Sequence, residues 1–223
     1  NCHYNSNLRA ETKVQINDKK NQHLNYVEKD RAKPMKSNKQ SGKNLNWLKK
    51  ARAGWGYNGD RRPPFAEEPE KGQRSVWDFP RPPIIEKVTK HITVSHKGKL
   101  IADSHNSLAV LETASPPTYY IPRQDIYMDM LVRIPRKTSL CEWKGSAIYW
   151  ALKGNSDLPV AWSYPKPFKE FEGLKDLLAF YPQNLDCKVD GINIQPQPGG
   201  FYAGWITPDL VGPFKGEPGT GHW

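Results

Sequence analysis

Apolar and polar residues alternate along short segments in the middle of the chain, a pattern typical of strands that are half buried in a sheet. Ile92 and Val94 share one face of residues 91–96, a Lys-Gly pair follows, and residues 100–102 are again apolar. This segment predicts a β-hairpin. The same pattern predicts further strands at 108–113, 118–122, 126–132, 138–143, 147–152 and 159–164.

Pro, Gly, Asn or Ser residues bound each of these segments. Many short strands with such boundaries favour a compact sandwich or an open barrel of antiparallel sheets. One helical turn or short helix is predicted near residues 170–178, where apolar residues recur at helical spacing. The sequence therefore predicts a mainly β domain at 84–190.

Gly, Pro and aromatic residues dominate the two segments that flank this domain, 54–83 and 191–223. Flexible linkers are rich in Gly and Ser and do not need large aromatic side chains such as Trp55, Trp77 and Trp205. We therefore predict a Pro/aromatic arm and a Gly/Pro/aromatic C-terminal extension, whose rings hold both segments against the β domain.

Basic charge is concentrated in residues 1–53, which carry 13 Lys or Arg and four acidic residues, a net +9 of the chain's +10. The tail is also poor in apolar residues, so it is predicted to be mostly disordered. The remaining chain lacks the clustered basic residues of a nucleic-acid-binding domain. No specific nucleic-acid partner is predicted.

The three cysteines are widely spaced, and neither a C-x-x-C pair nor an H-x-x-x-H pair occurs. No metal site, disulfide framework or cofactor is predicted. Unpaired cysteines favour a reducing, cytoplasmic location, with a plastid as the alternative if a targeting peptide has been removed before Asn1. No apolar run approaches the ~20 residues that span a bilayer, so no membrane partner is expected.

Several phrases between His91 and Pro182 resemble one family in their order and spacing. They are IADS at 101–104, LETASPPTYYIPRQDI at 111–126, CEWKGSAIYW at 141–150, AWSYPKP at 161–167 and AFYP at 179–182. The family is the domain of unknown function 427 family, and the two arms resemble extensions of its cyanobacterial members.

The resemblance implies a β-tent-like fold, in which two antiparallel sheets meet at an angle, but it implies little about function. Some classifications label the family a nucleotidyltransferase. The chain has neither the Gly-Ser with paired Asp residues of polymerase-like transferases nor a Gly-rich phosphate loop ahead of a helix. The zinc-binding cysteines of many β-tent relatives are also absent from it.

Aromatic residues gather in 112–164, and alternation along the predicted strand 147–152 puts Tyr149 between two alanines on one face. Rigid rings at strand ends can enclose a cleft, in which Glu112 and Lys144 would orient a small organic ligand. The alternative is that the rings only fill a β core. The candidate ligand-binding residues are Glu112, Tyr119, Tyr120, Cys141, Trp143, Lys144, Tyr149, Trp162 and Tyr164.

Two other functions stay open at this point. The first is an enzyme that acts on a small molecule through Cys141, Lys144 or Glu112. Cys141 and Trp143 would share a face of the predicted strand 138–143, with Lys144 on the opposite face, so an inert buried thiol is favoured over a nucleophile. The second is a scaffold protein that docks a partner, or a second copy of itself, through its arms.

Overall fold

The structure is a computed structural model that describes residues 40–223, with side chains from residue 46 onward. One α-helix, α1, spans Gln40–Ala53, and a compact unit spans Leu45–Trp223. Within the described range, no helix is both long and apolar enough to cross a membrane.

Short strands make up most of this unit. They are β1 Arg74–Ser75, β2 Ile84–Lys87, β3 Ile92–His96, β4 Lys99–Ser104, β5 Leu108–Glu112, β6 Ser115–Ile121, β7 Leu131–Cys141, β8 Gly145–Leu152, β9 Asn155–Pro167, β10 Leu178–Phe180, β11 Asp186–Val189, β12 Ile192–Asn193, β13 Gln195–Pro196, β14 Trp205–Ile206 and β15 Leu210–Val211. Short 3-10 helices lie at Val76–Asp78, Arg123–Asp125, Met128–Met130, Lys169–Leu174 and Pro182–Asn184.

Two antiparallel sheets contain most of the strands. The larger sheet has the order β2-β5-β6-β10-β9-β8-β7, and the smaller has the order β12-β11-β3-β4. β1 pairs in parallel with β15, and β13 pairs with β14. The predicted mainly β fold is confirmed. The hairpin expected near residue 97 is formed by β3 and β4.

The main core draws on both sheets. Ile92 and Ile101 come from the smaller sheet, and Leu111, Ile121 and Phe180 come from the larger one. A second cluster uses the alternate residues of the larger sheet, Val110, Tyr120 and Ala179 among them. Because side chains alternate along a strand, the two clusters lie on opposite faces of that sheet.

Rings from both arms are part of the main core. Trp77 and Trp205 are fully buried, and the Trp77 indole N–H donates to the Pro213 carbonyl at 3.1 Å. Tyr57 and Trp223 each contact the Trp77 ring, with ring centroids 5.2 Å apart. The arms therefore belong to the same hydrophobic core as the sheets.

The helices differ from the sequence prediction at two places. Most of the tail that was predicted to be disordered lies outside the described residues, but α1 occupies 40–53, where no helix was predicted. Its last turn contains the helix-favouring Lys50, Ala51 and Arg52, and the two cations suit the C-terminal end of the helix dipole. The helical turn or short helix predicted near 170–178 is present as the 3-10 helix Lys169–Leu174, interrupted at Phe171, and it ends before the predicted bound.

The helix ends before residue 178 because Leu178 starts β10, which pairs with β6 and β9 in the middle of the larger sheet. The prediction of one strand over 126–132 is also wrong. Ile126 forms a single bridge to Ala102, a 3-10 helix follows at Met128–Met130, and β7 begins only at Leu131.

Candidate functional site

A cavity of about 260 Å³ lies over one face of the larger sheet, the face that carries the second cluster with Val110, Tyr120 and Ala179. Strands β5, β6, β8 and β9 contribute Val110, Tyr120, Tyr149 and Trp162 to its lining. Residues 139–141 of β7 and Tyr181 after β10 also line it, and the remaining lining comes from the turn 142–144, from Trp55 and from the C-terminal extension.

The structure places eight of the nine predicted site residues in the lining of this one cavity, all except Tyr119. Tyr119 lies on the other face of β6 from Tyr120, where its ring packs on Trp205 with centroids 5.2 Å apart. That the lining residues bind a ligand stays a prediction.

Sequence reasoning missed several cavity residues that lie outside the motif-rich region. Trp55, Tyr202 and Lys215 come from the two arms, and Tyr181 follows β10. The richness of the arms in rings signalled that they would pack on the domain, but no local pattern connects Trp55 with residues about 150 positions away. Only the folded chain brings these residues together.

The turn between β7 and β8 positions Trp143 and Lys144. β7 ends at Cys141, so the prediction that Cys141 and Trp143 share a strand face is wrong. Gly145 closes the turn with φ +96°, a conformation that favours glycine. The Phe168 amide also donates to the Lys144 carbonyl at 3.2 Å, which fixes the turn on the end of β9.

Nine aromatic residues line the cavity. Trp162 meets Tyr120 edge to face at 6.2 Å between centroids and meets Tyr181 at 4.7 Å. Tyr164 lies 6.3 Å from Tyr120. Mutual packing of this kind restricts the motion of the rings and holds an apolar surface open toward the cavity.

Two buried polar atoms in this wall, the Tyr120 hydroxyl and the Trp143 indole N–H, have no acceptor of good geometry among residues 46–223. Tyr120 is fully buried and Trp143 is 5% exposed. Burial raises the pKa of Tyr120 to about 12, although the nearby Lys144 acts in the opposite direction. The side chains of Trp162 and Tyr164 lie close to the Tyr120 oxygen and also lower the pKa of Tyr120, an effect smaller than that of burial. Tyr120 therefore keeps its proton at neutral pH, and both residues are available as hydrogen-bond donors.

Lys144 is half buried and makes no ion pair or hydrogen bond through its side chain within the described part of the chain. Its ammonium lies 6.0 Å from the Phe171 ring. Burial by itself lowers the pKa of Lys144, but the negative charges that Cys141 and Tyr120 carry when ionised, together with two nearby carboxylates, raise it by more, so the pKa lies above its ordinary value. Lys144 is therefore a protonated donor at neutral pH.

Glu112 is held by Arg81, whose side chain is only 3% exposed. The guanidinium Nε donates to Glu112 Oε1 at 3.2 Å, and its two terminal nitrogens donate to the carbonyls of Tyr57 and Thr113 at 2.8 and 2.9 Å. The guanidinium also lies 4.3 Å from the Trp55 ring centroid. Arg81 thus joins the N-terminal arm to the edge of the cavity.

Lys215 is the second lysine in the lining and is 2% exposed. Its ammonium donates to the Trp223 carbonyl at 2.8 Å and lies 3.7 Å from the Trp55 ring centroid. Burial, followed by repulsion from Arg81, lowers the pKa of Lys215 to about 8. The Trp55 indole N–H in turn donates to Glu142 Oε1 at 3.2 Å, so this carboxylate is also engaged.

One group of side chains outside the cavity has residue types that bind metals: His91, Asp103 and His105. His91 Nε2 and Asp103 Oδ1 are 2.6 Å apart. The two imidazoles are stacked, with centroids 4.3 Å apart and planes within 10°. A metal ion lies close to the plane of each imidazole that binds it, and two stacked parallel rings do not share such a position. This arrangement does not fit a metal bound by both histidines.

Comparison with known proteins relates part of the chain to a family. No curated protein matches the sequence. The family match covers all nine predicted site residues but leaves out Trp55, Tyr202 and Lys215. Residues 84–192 match the model of the family described as domain of unknown function, DUF427.

Proposed function

We propose that this protein binds a small organic molecule in the aromatic cavity over the larger sheet. The observation that carries the proposal is the pair of buried donors in the cavity lining, Tyr120 and Trp143, which have no acceptor of good geometry within the described residues. An unsatisfied buried polar group costs about 1–3 kcal/mol. Folded proteins keep few such groups, and a ligand that accepts from them would recover this free energy.

The size and chemistry of the cavity support a ligand of one or two rings. Small-molecule sites are mainly apolar concavities with a few polar groups, from about 300 Å³ upward. At about 260 Å³, this cavity lies slightly below that range, which limits the ligand to a small molecule. Trp162 and Tyr164 offer ring surfaces for stacking, and Lys144 offers a charge for orientation.

Catalysis through the candidate reacting groups has less support. A lysine nucleophile must lose its proton, but the raised pKa of Lys144 keeps it charged. Glu112 is held in an ion pair with Arg81, which disfavours its action as a base. Cys141 has no described histidine in the cavity lining to activate it. We therefore favour binding over an enzymatic role.

Docking through the arms also has less support, because most of their rings are either buried in the protein's own core or packed against it. Trp77 and Trp205 are fully buried, and Phe201 is the most exposed ring of the arms at 81%. Phe201 lies in the cavity lining beside Tyr202, so this ring too is associated with the cavity.

We also propose a cytoplasmic location, with a plastid as the alternative, and a relationship of the two arms to the extensions of cyanobacterial family members. Cys141 and Cys187 are both free, which supports a reducing compartment such as the cytoplasm or a plastid. Burial raises the pKa of Cys187, so this thiol is unreactive.

The proposal can be tested by filling the cavity. Thr118 lies on β6 in the cavity lining, and Thr118→Phe would place a ring in the space proposed for the ligand. The matched control is Thr93→Phe, which makes the same substitution at a partly exposed position of β3, in the other sheet. A thermal-shift screen of a metabolite library against the full chain would identify ligands, and calorimetry would confirm each one.

We expect every confirmed ligand to lose at least tenfold in affinity for Thr118→Phe and to keep its affinity for Thr93→Phe. Both variants should unfold cooperatively, which circular dichroism would show. Ligands that bind Thr118→Phe as tightly as the unmodified protein, or a library without any hit, would remove the basis of the proposal.

A further inference from the structure

The donors of the cavity also indicate what kind of ligand it takes. Resting on the proposed function, we propose that the cavity binds a planar aromatic carboxylate. The carboxylate accepts hydrogen bonds from Tyr120, Trp143 and Lys144, and the ring system lies against the aromatic wall.

The hydrogen-bonding capacity of these three side chains is the first argument. An indole N–H and an ammonium are donors only, and a protonated phenol offers one O–H donor even when its oxygen accepts. All three side chains line the cavity, and none donates a hydrogen bond to an acceptor in the described residues. The ligand group that satisfies them must be an acceptor with several lone pairs, which a carboxylate is.

The charges around the cavity are the second argument. Lys144 and Lys215 line it, and Arg52 and Arg81 contact its lining from outside. Arg52 Nε donates to the Glu142 carbonyl at 2.8 Å, and its guanidinium lies 5.1 Å from the Trp143 ring centroid.

Two carboxylates oppose these four cations, and both are already engaged. Glu112 pairs with Arg81 at 3.2 Å, and Glu142 accepts from the Trp55 indole. These four cations outnumber the two carboxylates, and Lys144 forms no ion pair within residues 46–223, although Glu112 and Glu142 lie near enough to raise its pKa. An anion completes this balance, whereas a cationic ligand would meet like charge next to Lys144.

The rest of the lining favours a ligand whose remaining part is a flat apolar ring system rather than a second charged group. The rings of Trp162 and Tyr164 are fixed by contacts to Tyr120. The Tyr149 hydroxyl is already 2.7 Å from the Ser139 hydroxyl, so it is less available to a ligand. Offset or edge-to-face contacts between these rings and an aromatic ligand would stabilise the complex.

A phosphate ester fits this site less well. Phosphate recognition typically uses an arginine fork or a run of backbone N–H groups in a glycine-rich loop. Arg81 is fully engaged with Glu112 and two carbonyls, and it does not line the cavity. A single lysine with two neutral donors matches a carboxylate, which has one charge and two oxygens.

The experiment compares two probes of nearly equal shape, 2-naphthoate and 2-naphthamide, by calorimetry with the full chain at pH 7. The amide replaces one carboxylate oxygen by an NH₂ donor, which would face donors in the cavity. We expect 2-naphthoate to bind at least tenfold more tightly than 2-naphthamide. Increasing salt should weaken the binding of naphthoate and leave that of naphthamide nearly constant.

Two variants assign the effect to the cavity. Lys144→Gln should reduce naphthoate affinity at least tenfold and change naphthamide affinity less than twofold. Trp143→Phe keeps a ring but removes the N–H, so it should weaken naphthoate several-fold, and it provides a second test if Lys144→Gln does not fold. The matched control is Lys166→Gln, an exposed position on β9 outside the cavity lining, which should change neither affinity.

The outcomes separate this inference from the proposed function. Equal binding of the two probes, both sensitive to Thr118→Phe, would overturn the carboxylate preference and leave a ligand-binding cavity in place. Binding of neither probe would overturn the inference, whereas the library screen decides the proposed function on its own. A preference for naphthoate that persists in both Lys144→Gln and Trp143→Phe would also overturn the carboxylate inference, because the anion would then be bound elsewhere.

Discussion

Replacing Arg81 by Met should destabilise the protein strongly, because this buried guanidinium joins three parts of the chain. It donates to the Glu112 carboxylate, at 3.2 Å, and to the carbonyls of Tyr57 and Thr113, and its side chain is 3% exposed. The methionine would fill a similar volume but would leave all three acceptors without this donor.

The magnitude follows from the burial of both partners. Removing one member of a buried ion pair costs about 3–5 kcal/mol, because the other charge stays buried and uncompensated. The Glu112 side chain is 20% exposed, so water partly solvates its charge and the loss should lie near the lower end, about 3 kcal/mol. Burial is also the main cause that lowers the pKa of Arg81, with Glu112 acting in the opposite direction.

Equilibrium urea unfolding, followed by circular dichroism and tryptophan fluorescence, would measure this loss. The control is Arg62→Met, since Arg62 also forms two ion pairs, with Asp78 at 2.7 Å and Glu68 at 2.6 Å, but all three groups are solvent-accessible. Exposed pairs contribute little to stability, so Arg62→Met should change the free energy of unfolding much less than Arg81→Met.

A double variant tests the pairing itself. Glu112→Gln removes the charge that Arg81→Met leaves uncompensated, so the loss in the double variant should be smaller than the sum of the two single losses by at least about 1 kcal/mol. The reasoning would be refuted if Arg81→Met were no more destabilising than Arg62→Met, or if the two changes at Arg81 and Glu112 were additive.

Three further predictions concern Lys215, the C-terminal extension and the arms. The pKa of Lys215 falls from an ordinary 10.5 to about 8 in the folded state, so between these values the unfolded chain binds more protons. The free energy of unfolding, relative to Lys215→Met, should therefore rise by about 2 kcal/mol from pH 8 to pH 10, and a flat difference would contradict the burial of a charged amine. Gly216→Ala should destabilise the protein by at least about 2 kcal/mol more than Gly219→Ala, because both residues have positive φ but only the Cβ at Gly216 would overlap the Pro198 carbonyl. Equal losses in urea unfolding would show that the loop relaxes. The fragment 84–192 should lack cooperative thermal unfolding, because it omits the fully buried Trp77 and Trp205; a sharp calorimetric transition of that fragment would show that the arms are dispensable.

Local alternation was sufficient to predict much of the larger architecture. The hairpin of β3 and β4 follows from the apolar Ile92 and Val94, which are both fully buried, and from the turn at Lys97 and Gly98. The strand containing Tyr149 was also predicted with the correct face toward the cavity. Where one face of a strand is buried, the period of two in the sequence specifies its orientation.

The errors occur where contacts distant in sequence determine the structure. Nothing in the letters of 142–144 marks a turn, since the glycine that closes it comes only at Gly145. The last turn of α1 has no apolar face, so hydrophobic periodicity does not indicate it, and Arg52 is held by the Glu142 carbonyl 90 positions away. Lys215 and Trp55 could not be assigned to the site because their proximity exists only after both arms have packed.

The origin of the cavity lining has a consequence for diversification among related chains. The three donors, Tyr120, Trp143 and Lys144, lie within residues 84–192, whereas Trp55, Tyr202 and Lys215 lie outside that region. Under the proposed function, residues 84–192 would bind one end of a ligand, while the terminal segments would set the shape and charge presented to the other end. New selectivity could then evolve by replacing a flanking segment, without remodelling any strand within residues 84–192.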